Sequence, residues 1–371
     1  MPIKNTQALI GVRLNGGRYH TGHRAQRGYW KTISCEGLSE CSLRLADEEH
    51  ASIRQYPLYN ERYRKWPVKP VYIEYADASG DVRGFACIIS IGYASFKCGL
   101  VTDGPVFFHE LGCPKQAAEA FVGWLRDNGF AFVRVSHNRE PVMATLRGLP
   151  EAVSLNALPF APIFDGELAV NLDSDNTKML AGFQQVARQE IKRSRQAGCS
   201  VMKSHDVHAF RKLWPIYARR AKEKSFTIGS LRDYESMFAL SPREDLVRVY
   251  CACYGDKAAY SVVFLREHST VHYFLAALDV AALGSYPTPS CFLLWEAMQD
   301  YRGLGCKLCN LGGGSGTYYG LKRKFHPCVL PSPISTTIVL RPVLYRLWVR
   351  LGIPMRGAAA GGFALWRAGR R

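Results

Sequence analysis

The chain is short of acidic residues and has no apolar run of about 20 residues that could span a bilayer. It sets 31 Asp and Glu against 48 Lys and Arg, a formal net charge of +17. Between Thr336 and Arg371 there is no acid at all, while seven arginines fall there. The opening residues Met1-Pro2-Ile3-Lys4-Asn5-Thr6 contain no apolar signal core. These absences predict a cytoplasmic protein without a membrane span. They also favour anionic partners: nucleic acid, anionic lipid or a pyrophosphate-bearing substrate.

What is present is the composition of a globular protein. An apolar share of 47% and an aromatic share of 12% supply real cores, and 371 residues suit two domains. Twelve cysteines in so large a chain read as reduced thiols. The pairs Cys251/Cys253 and Cys306/Cys309 have zinc-like spacing but lie in apolar, strand-like runs, where Cys packs as a small hydrophobe. No metal site is expected from them. His20/His23 and His205/His208 share helical spacing without companion ligands and read as surface residues.

A weak internal duplication organises the chain. Val71 to Tyr75, a Gly80-Asp81 turn and Phe85 to Ile89 read as a β-hairpin, and Val247 to Cys251, Gly255-Asp256 and Tyr260 to Phe264 repeat it. Each hairpin leads to an extended segment, Tyr93 to Phe108 or Val271 to Leu278. A helix follows, Gln116 to Asn128 or Ser290 to Arg302, stopped by Gly129 or Gly305. An apolar strand closes each unit, Phe130 to Val135 or Cys306 to Leu311. The offset stays at 175 to 176 residues across these elements, which predicts two similar halves. Each would be a mixed, mostly antiparallel α/β sheet flanked by helices. Ahead of the second hairpin, periodicity predicts helices over Asn176 to Gln196, Val207 to Lys224 and Arg232 to Leu240. Prolines and a glycine between Pro159 and Gly166 mark the junction. The expected units are residues 1–163, residues 164–333 and a basic amphipathic tail, 334–371.

The order strand, helices, antiparallel meander, helix, strand is that of a GNAT acyltransferase. Within it, the Arg-rich helix Val186 to Gly198, the run Leu294 to Ala297, Gly305, Asn310 to Gly314, and Gly320 to Phe325 resemble the FemAB-type transferases. The likeness is best over Leu168 to Pro327. It implies two tandem GNAT-like domains and an N-acyltransferase that makes an amide on an amino group of an envelope-glycan or peptidoglycan precursor. The acyl donor would be aminoacyl-tRNA or acyl-CoA, with no bound cofactor. The acceptor would be an anionic small molecule or a lipid-linked glycan, and tRNA a further partner. It further implies that Lys322 and Asn310 belong to the catalytic centre. Arg188, Lys192, Arg195, Gly312, Gly313, Gly314 and Tyr318 would serve donor or substrate binding.

The residues themselves add a physical reason for some of these roles. Acyl transfer needs an uncharged amine and donors for the developing oxyanion. A glycine turn at a strand end lets chains approach the backbone closely. Arg188, Lys192 and Arg195 share one helix face, with no carboxylate between Arg193 and His205 to neutralise them. The loop that cradles pyrophosphate in many GNAT enzymes is missing. Its place is taken by Ala281 to Ser290, where Pro287 and Pro289 remove amide donors. His272, Asp279 and Glu296 are candidate bases, with nothing to select among them. Phe210, Trp214 and Tyr217 form a core stripe, and Leu344, Leu347, Trp348 and Leu351 a stripe suited to a peripheral contact with anionic membrane at the inner face. Two other readings stay open: an acyl-CoA-dependent N-acetyltransferase acting on a sugar or amino-acid amine, and a non-catalytic RNA- or membrane-surface-binding protein.

Overall fold

Both hairpins form, because each alternates β-branched and aromatic residues around a Gly-Asp turn that accepts positive φ at the glycine, Gly80 at 90° and Gly255 at 56°. The computed structural model describes residues 28–350 except 35–36, 49–50, 65–66, 94–95, 109–113, 138, 155–165, 226–227, 314–318 and 332. The first sheet is built from β1 (Tyr29–Thr32), β2 (Val68–Ala76), β3 (Val82–Tyr93), β4 (Phe96–Thr102), β5 (Val106–Phe107), β6 (Phe130–His137) and β7 (Ala152–Ser154). The second holds β8 (Glu167–Asn171), β9 (Cys199–Ser204), β10 (Val247–Tyr254), β11 (Lys257–Glu267), β12 (Thr270–Leu278), β13 (Leu308–Gly313) and β14 (Cys328–Leu330). A last strand, β15 (Ile334–Val339), returns to the first sheet.

The strand orders are β1-β2-β3-β4-β6-β15-β7, with β5 beside β3, and β14-β8-β13-β12-β11-β10-β9. In both sheets an antiparallel meander, β2-β3-β4 or β10-β11-β12, is followed by a parallel neighbour, β6 or β13. Helix α3 (Pro114–Asp127) or α10 (Ser290–Gly303) makes the crossover. This is the duplication read from the sequence.

Helices layer the sheets. Between them lie α1 (Leu38–Asp47), the 3-10 turn Ile53–Gln55, α2 (Pro57–Asn60), α7 (Val207–Glu223) and α8 (Leu231–Ala239). Their buried Leu45, Ile53, Leu58, Phe210, Tyr217 and Met237 share one core with Phe85 and Cys87 of β3 and Val263 and Leu265 of β11. Helices α3 and α4 (Glu140–Arg147) cover the outer face of the first sheet. The outer face of the second carries α5 (Asn176–Gly182), α6 (Gln185–Gln196) and α10. Short helices α9 (Val280–Leu283) and α11 (Tyr319–Arg323) and the final α12 (Pro342–Arg350) complete the chain.

Three expectations need correction. The helix foreseen over Asn176 to Gln196 is broken at Phe183, which turns extended to bury its ring at 5.6 Å from Trp295 and 5.0 Å from Phe325. The segment 334–371 does not begin as an appended tail. Its strand β15 pairs with β6 over Ile334–Val339 and with β7 over Thr336–Ile338, and Thr336, Thr337 and Ile338 are fully buried. The stripe on α12 is also largely used: Leu344, Tyr345 and Trp348 pack on Cys98, Ala131 and Phe132, with Trp348 and Phe132 rings 5.8 Å apart. Val343 and Leu347 stay exposed beside Arg346 and Arg350, and Leu351 lies outside the described residues.

Candidate active site

The two sheets differ at one place. In the first, β4 and β6 stay paired from Lys97 to Thr102. In the second, β12 and β13 pair only at Thr270–Leu308, Val271–Cys309 and His272–Asn310. Beyond that point β13 bulges between Asn310 and Gly312 and follows β8 instead, so Gly312 and Gly313 sit opposite Leu168 and Glu167. From Tyr273 to Leu278, β12 has no partner on its β13 side among the described residues. A wedge with free backbone groups opens there, its vertex at His272 and Asn310.

The vertex is polar and drawn from both halves. Asn310 donates from Nδ2 to Glu167 Oε2 at 2.6 Å and accepts at Oδ1 from the Gly312 amide at 2.7 Å. This second bond fixes the bulge, in which Gly312 has φ 76°. Glu167 in turn pairs with Arg54 from the first half, and Arg54 also donates to Asp103 Oδ2 at 2.9 Å. Ser52 Oγ reaches Asp103 Oδ2 and Glu267 Oε2, each at 3.3 Å, and the Ile53 amide donates to Glu267 Oε2 at 2.6 Å. His272 Nε2 lies 3.2 Å from the same Glu267 oxygen, at an angle that makes no hydrogen bond. Lys322 lies on the open side of the vertex. Its Nζ donates to Gly313 O at 2.9 Å and sits 5.9 Å from the Tyr273 ring centre.

Burial and neighbours tune these groups in opposite directions. Burial lowers the Lys322 ammonium below its usual value, against a pull from Glu167. Burial raises Asp103, Arg54 offsets part of this, and Glu267 and Glu167 add to the rise. Glu167 is also pushed up by burial, but Arg54, the Asn310 amide and His272 outweigh that and hold it low. In Glu267 burial is outweighed by His272, the Ile53 amide and Arg54, and the carboxyl again lies low.

Of the residues singled out in the sequence, the structure brings Lys322, Asn310, Gly312 and Gly313 together at the wedge; Gly314 and Tyr318 lie outside the described residues. The α6 cations stand apart, on the outer layer. Arg188 donates from Nη1 to Ala181 O at 2.9 Å and to Phe183 O, closing the α5–α6 break. Lys192 is exposed, and Arg195 lies 3.3 Å from Glu296 on α10. Asp279 caps α9 and pairs with Arg219, so among the three candidate bases only His272 reaches the vertex. Cys251, Cys253, Cys306 and Cys309 are buried, and among the described residues no group of three or more His, Cys, Asp or Glu is placed to hold a metal. Sequence reading missed Ser52, Arg54, Asp103, Glu167 and Glu267. Ser52 and Arg54 share one 3-10 turn, Ser52 as its cap, but the others come from separate elements up to 215 residues away, and no spacing pattern links them.

A wedge between parallel central strands, reached from a crossover helix, defines a GNAT acyltransferase fold. Residues 181–320 match the profile of the acetyltransferase (GNAT) domain family. The solved structure of FemX aligns with a TM-score of 0.67 at 11% identity, over 86% of this chain and 99% of that one. L-PGS from Bacillus licheniformis aligns at 0.53 and 12% identity, over 86% and 98%. The C-terminal domain of a protein assigned as a lysylphosphatidylglycerol synthetase from Agrobacterium fabrum aligns at 0.53 and 16%, over 85% and 96%. A search of curated protein sequences finds no match. Residues 181–320 thus match a GNAT domain, and the chain as a whole shares the fold of FemX. Among the described residues no helix is long and apolar enough to cross a membrane.

Proposed function

We propose that the chain is an N-acyltransferase of the FemAB kind, forming an amide on an amino group of an anionic envelope-glycan or peptidoglycan precursor. The observation that supports it most is Lys322 at the mouth of the β12–β13 wedge. In this reading the donor's acyl arm lies along the unpaired edge of β12, and the ammonium stabilises the oxyanion or the departing oxygen or sulfur. The donor is aminoacyl-tRNA in preference to acyl-CoA. Pro289 caps α10 without a side-chain acceptor and, with Pro287, leaves few amides for a pyrophosphate, while exposed Lys192 and Arg193 on the adjoining α6 suit a polyphosphate backbone. The acceptor's anionic group has a candidate partner in Arg62. Its guanidinium stacks 3.9 Å from the Tyr59 ring centre and 4.7 Å from that of Phe274 on β12, and among the described residues it has no acidic partner.

The test is acyl transfer from charged tRNA and from acyl-CoA to a panel of amino-sugar and peptide amines, with wild type and Lys322→Met. Loss of the ammonium should lower kcat by ~10²-fold or more with little change in KM. Arg323→Met is the matched control, since Arg323 is exposed whereas Lys324 is tied to Glu190. No transfer from either donor class, or equal losses in both variants, would sink the proposal.

A further inference from the structure

Three carboxylates, Asp103, Glu167 and Glu267, gather at the junction of the halves. Asp103 and Glu167 share the guanidinium of Arg54, Glu267 feels Arg54 at longer range and lies beside His272, and Lys322 stands nearer the wedge mouth. A carboxylate oxygen left bare inside a protein is costly and rare. Asp103 Oδ1 is such an atom: the residue is 4% exposed, its Oδ2 accepts from Arg54 and Ser52, and Oδ1 has no partner among the described residues. Its backbone is unusual as well, with φ 54° for a non-glycine residue. The surrounding groups are not sealed away: the Arg54, Glu167, Glu267 and His272 side chains keep 22%, 24%, 23% and 19% of their exposure.

The missing partner should be a donor and a cation. A metal is a poor fit, since no group of three ligands is assembled among the described residues. A primary ammonium fits better: it is compact, carries three donors, and can bridge bare carboxylate oxygens without fixed coordination geometry. We infer that Asp103, with Glu267 and Glu167 beside it, is the seat of the acceptor's ammonium group. The inference rests on the acyltransferase reading above and adds to it the atom that receives the acceptor nitrogen. A proton passed from the ammonium to Oδ1 leaves a neutral amine beside a neutral carboxyl, the state that attack on an acyl carbonyl requires. Burial and the like-charged neighbours, which raise Asp103 against the pull of Arg54, suit that exchange.

The experiment is equilibrium binding of n-butylammonium to the full chain, followed by ligand-observed NMR, with n-butanol as the neutral isostere. Wild type should bind the ammonium and not the alcohol, and Asp103→Asn should weaken binding about tenfold or more. Asp127→Asn, an exposed acid on α3, should leave it unchanged. If Asp103→Asn does not fold, Glu267→Gln serves instead and should weaken binding severalfold. Undiminished binding in the folded variants, failure of wild type to prefer the ammonium, or an equal loss in Asp127→Asn overturns the inference. Acyl-transfer assays separate the two proposals. Binding at Asp103 without any acyl transfer removes the function and keeps the seat; transfer that Asp103→Asn leaves intact does the reverse.

Discussion

Asp103 should weaken the fold it belongs to, and this can be measured apart from any activity. Its carboxyl is pushed above the ordinary 3.8 chiefly by burial, so the folded chain holds a proton that the unfolded chain has released. Stability therefore falls as pH rises from about 4 through the raised value, and the whole penalty stands above it. Asp103→Asn should be as stable as wild type or more so at pH 7, and the advantage should vanish near pH 4; urea midpoints across that range check it. Glu167 and Glu267 act with the opposite sign. Their carboxyls are held low, so their stabilisation is complete above the usual carboxylate range and fades as pH falls through the depressed values. Arg54 is the residue the cluster cannot lose. Arg54→Met leaves two half- to fully buried carboxylates without their cation and should cost ~3 kcal/mol or more by urea unfolding. Adding Asp103→Asn should restore part of that loss, because one of the stranded charges is then gone.

The elements read from the sequence were those set by local rules. The two hairpins follow from alternation around Gly-Asp turns, α3 from apolar periodicity, and α10 from a nearly continuous apolar run, both helices stopping just before a glycine. Elements decided by distant packing were not legible. The break between α5 and α6 depends on a pocket for Phe183 formed by Trp295 and Phe325, residues more than a hundred positions away. The candidate site divides in the same way: Lys322, Asn310 and the glycine turn lie on one continuous stretch, whereas Arg54, Asp103 and Glu267 meet only through the docking of two halves. The wedge itself is an element-scale feature and has its own test. Gly312 holds φ 76° at the bulge, and a Cβ there would meet Lys322 Nζ at 3.7 Å, an ordinary contact. Gly312→Ala should therefore cost only ~1 kcal/mol, from backbone strain. If the bulge positions Lys322, kcat should nevertheless fall well beyond what that loss of stability accounts for. A thermal melt and steady-state kinetics on one preparation decide it; unchanged kcat would detach the bulge from catalysis.

At the scale of the molecule, the chain is closed by its own end. Residues after Pro333 read as a detachable basic tail because they have seven arginines and no acid, and composition does not register that Ile334 to Val339, rich in β-branched residues, forms a strand. That strand fills the gap between β6 and β7, so the first sheet is complete only after the second half has been made. Without it, β6 would present an unpaired edge carrying Val133 and Val135, and α4 would lose Ile338 beneath it. Cutting the chain after Pro333 should thus do more than remove charge. The first half should lose cooperative unfolding, expose apolar surface to a dye such as ANS, and aggregate. Cutting after Arg350 is the contrasting case. It keeps β15 and the packing of Leu344 and Trp348 on Phe132, and removes Arg356, Arg367, Arg370 and Arg371. That chain should melt like the full-length one. If the end of the chain also meets an anionic surface, binding to anionic vesicles should drop with those four charges, by about 1 kcal/mol for each that approaches the lipid. A cooperative, soluble chain ending at Pro333 would show that β15 is an accessory strand, and the first half would then have to close its sheet by other means.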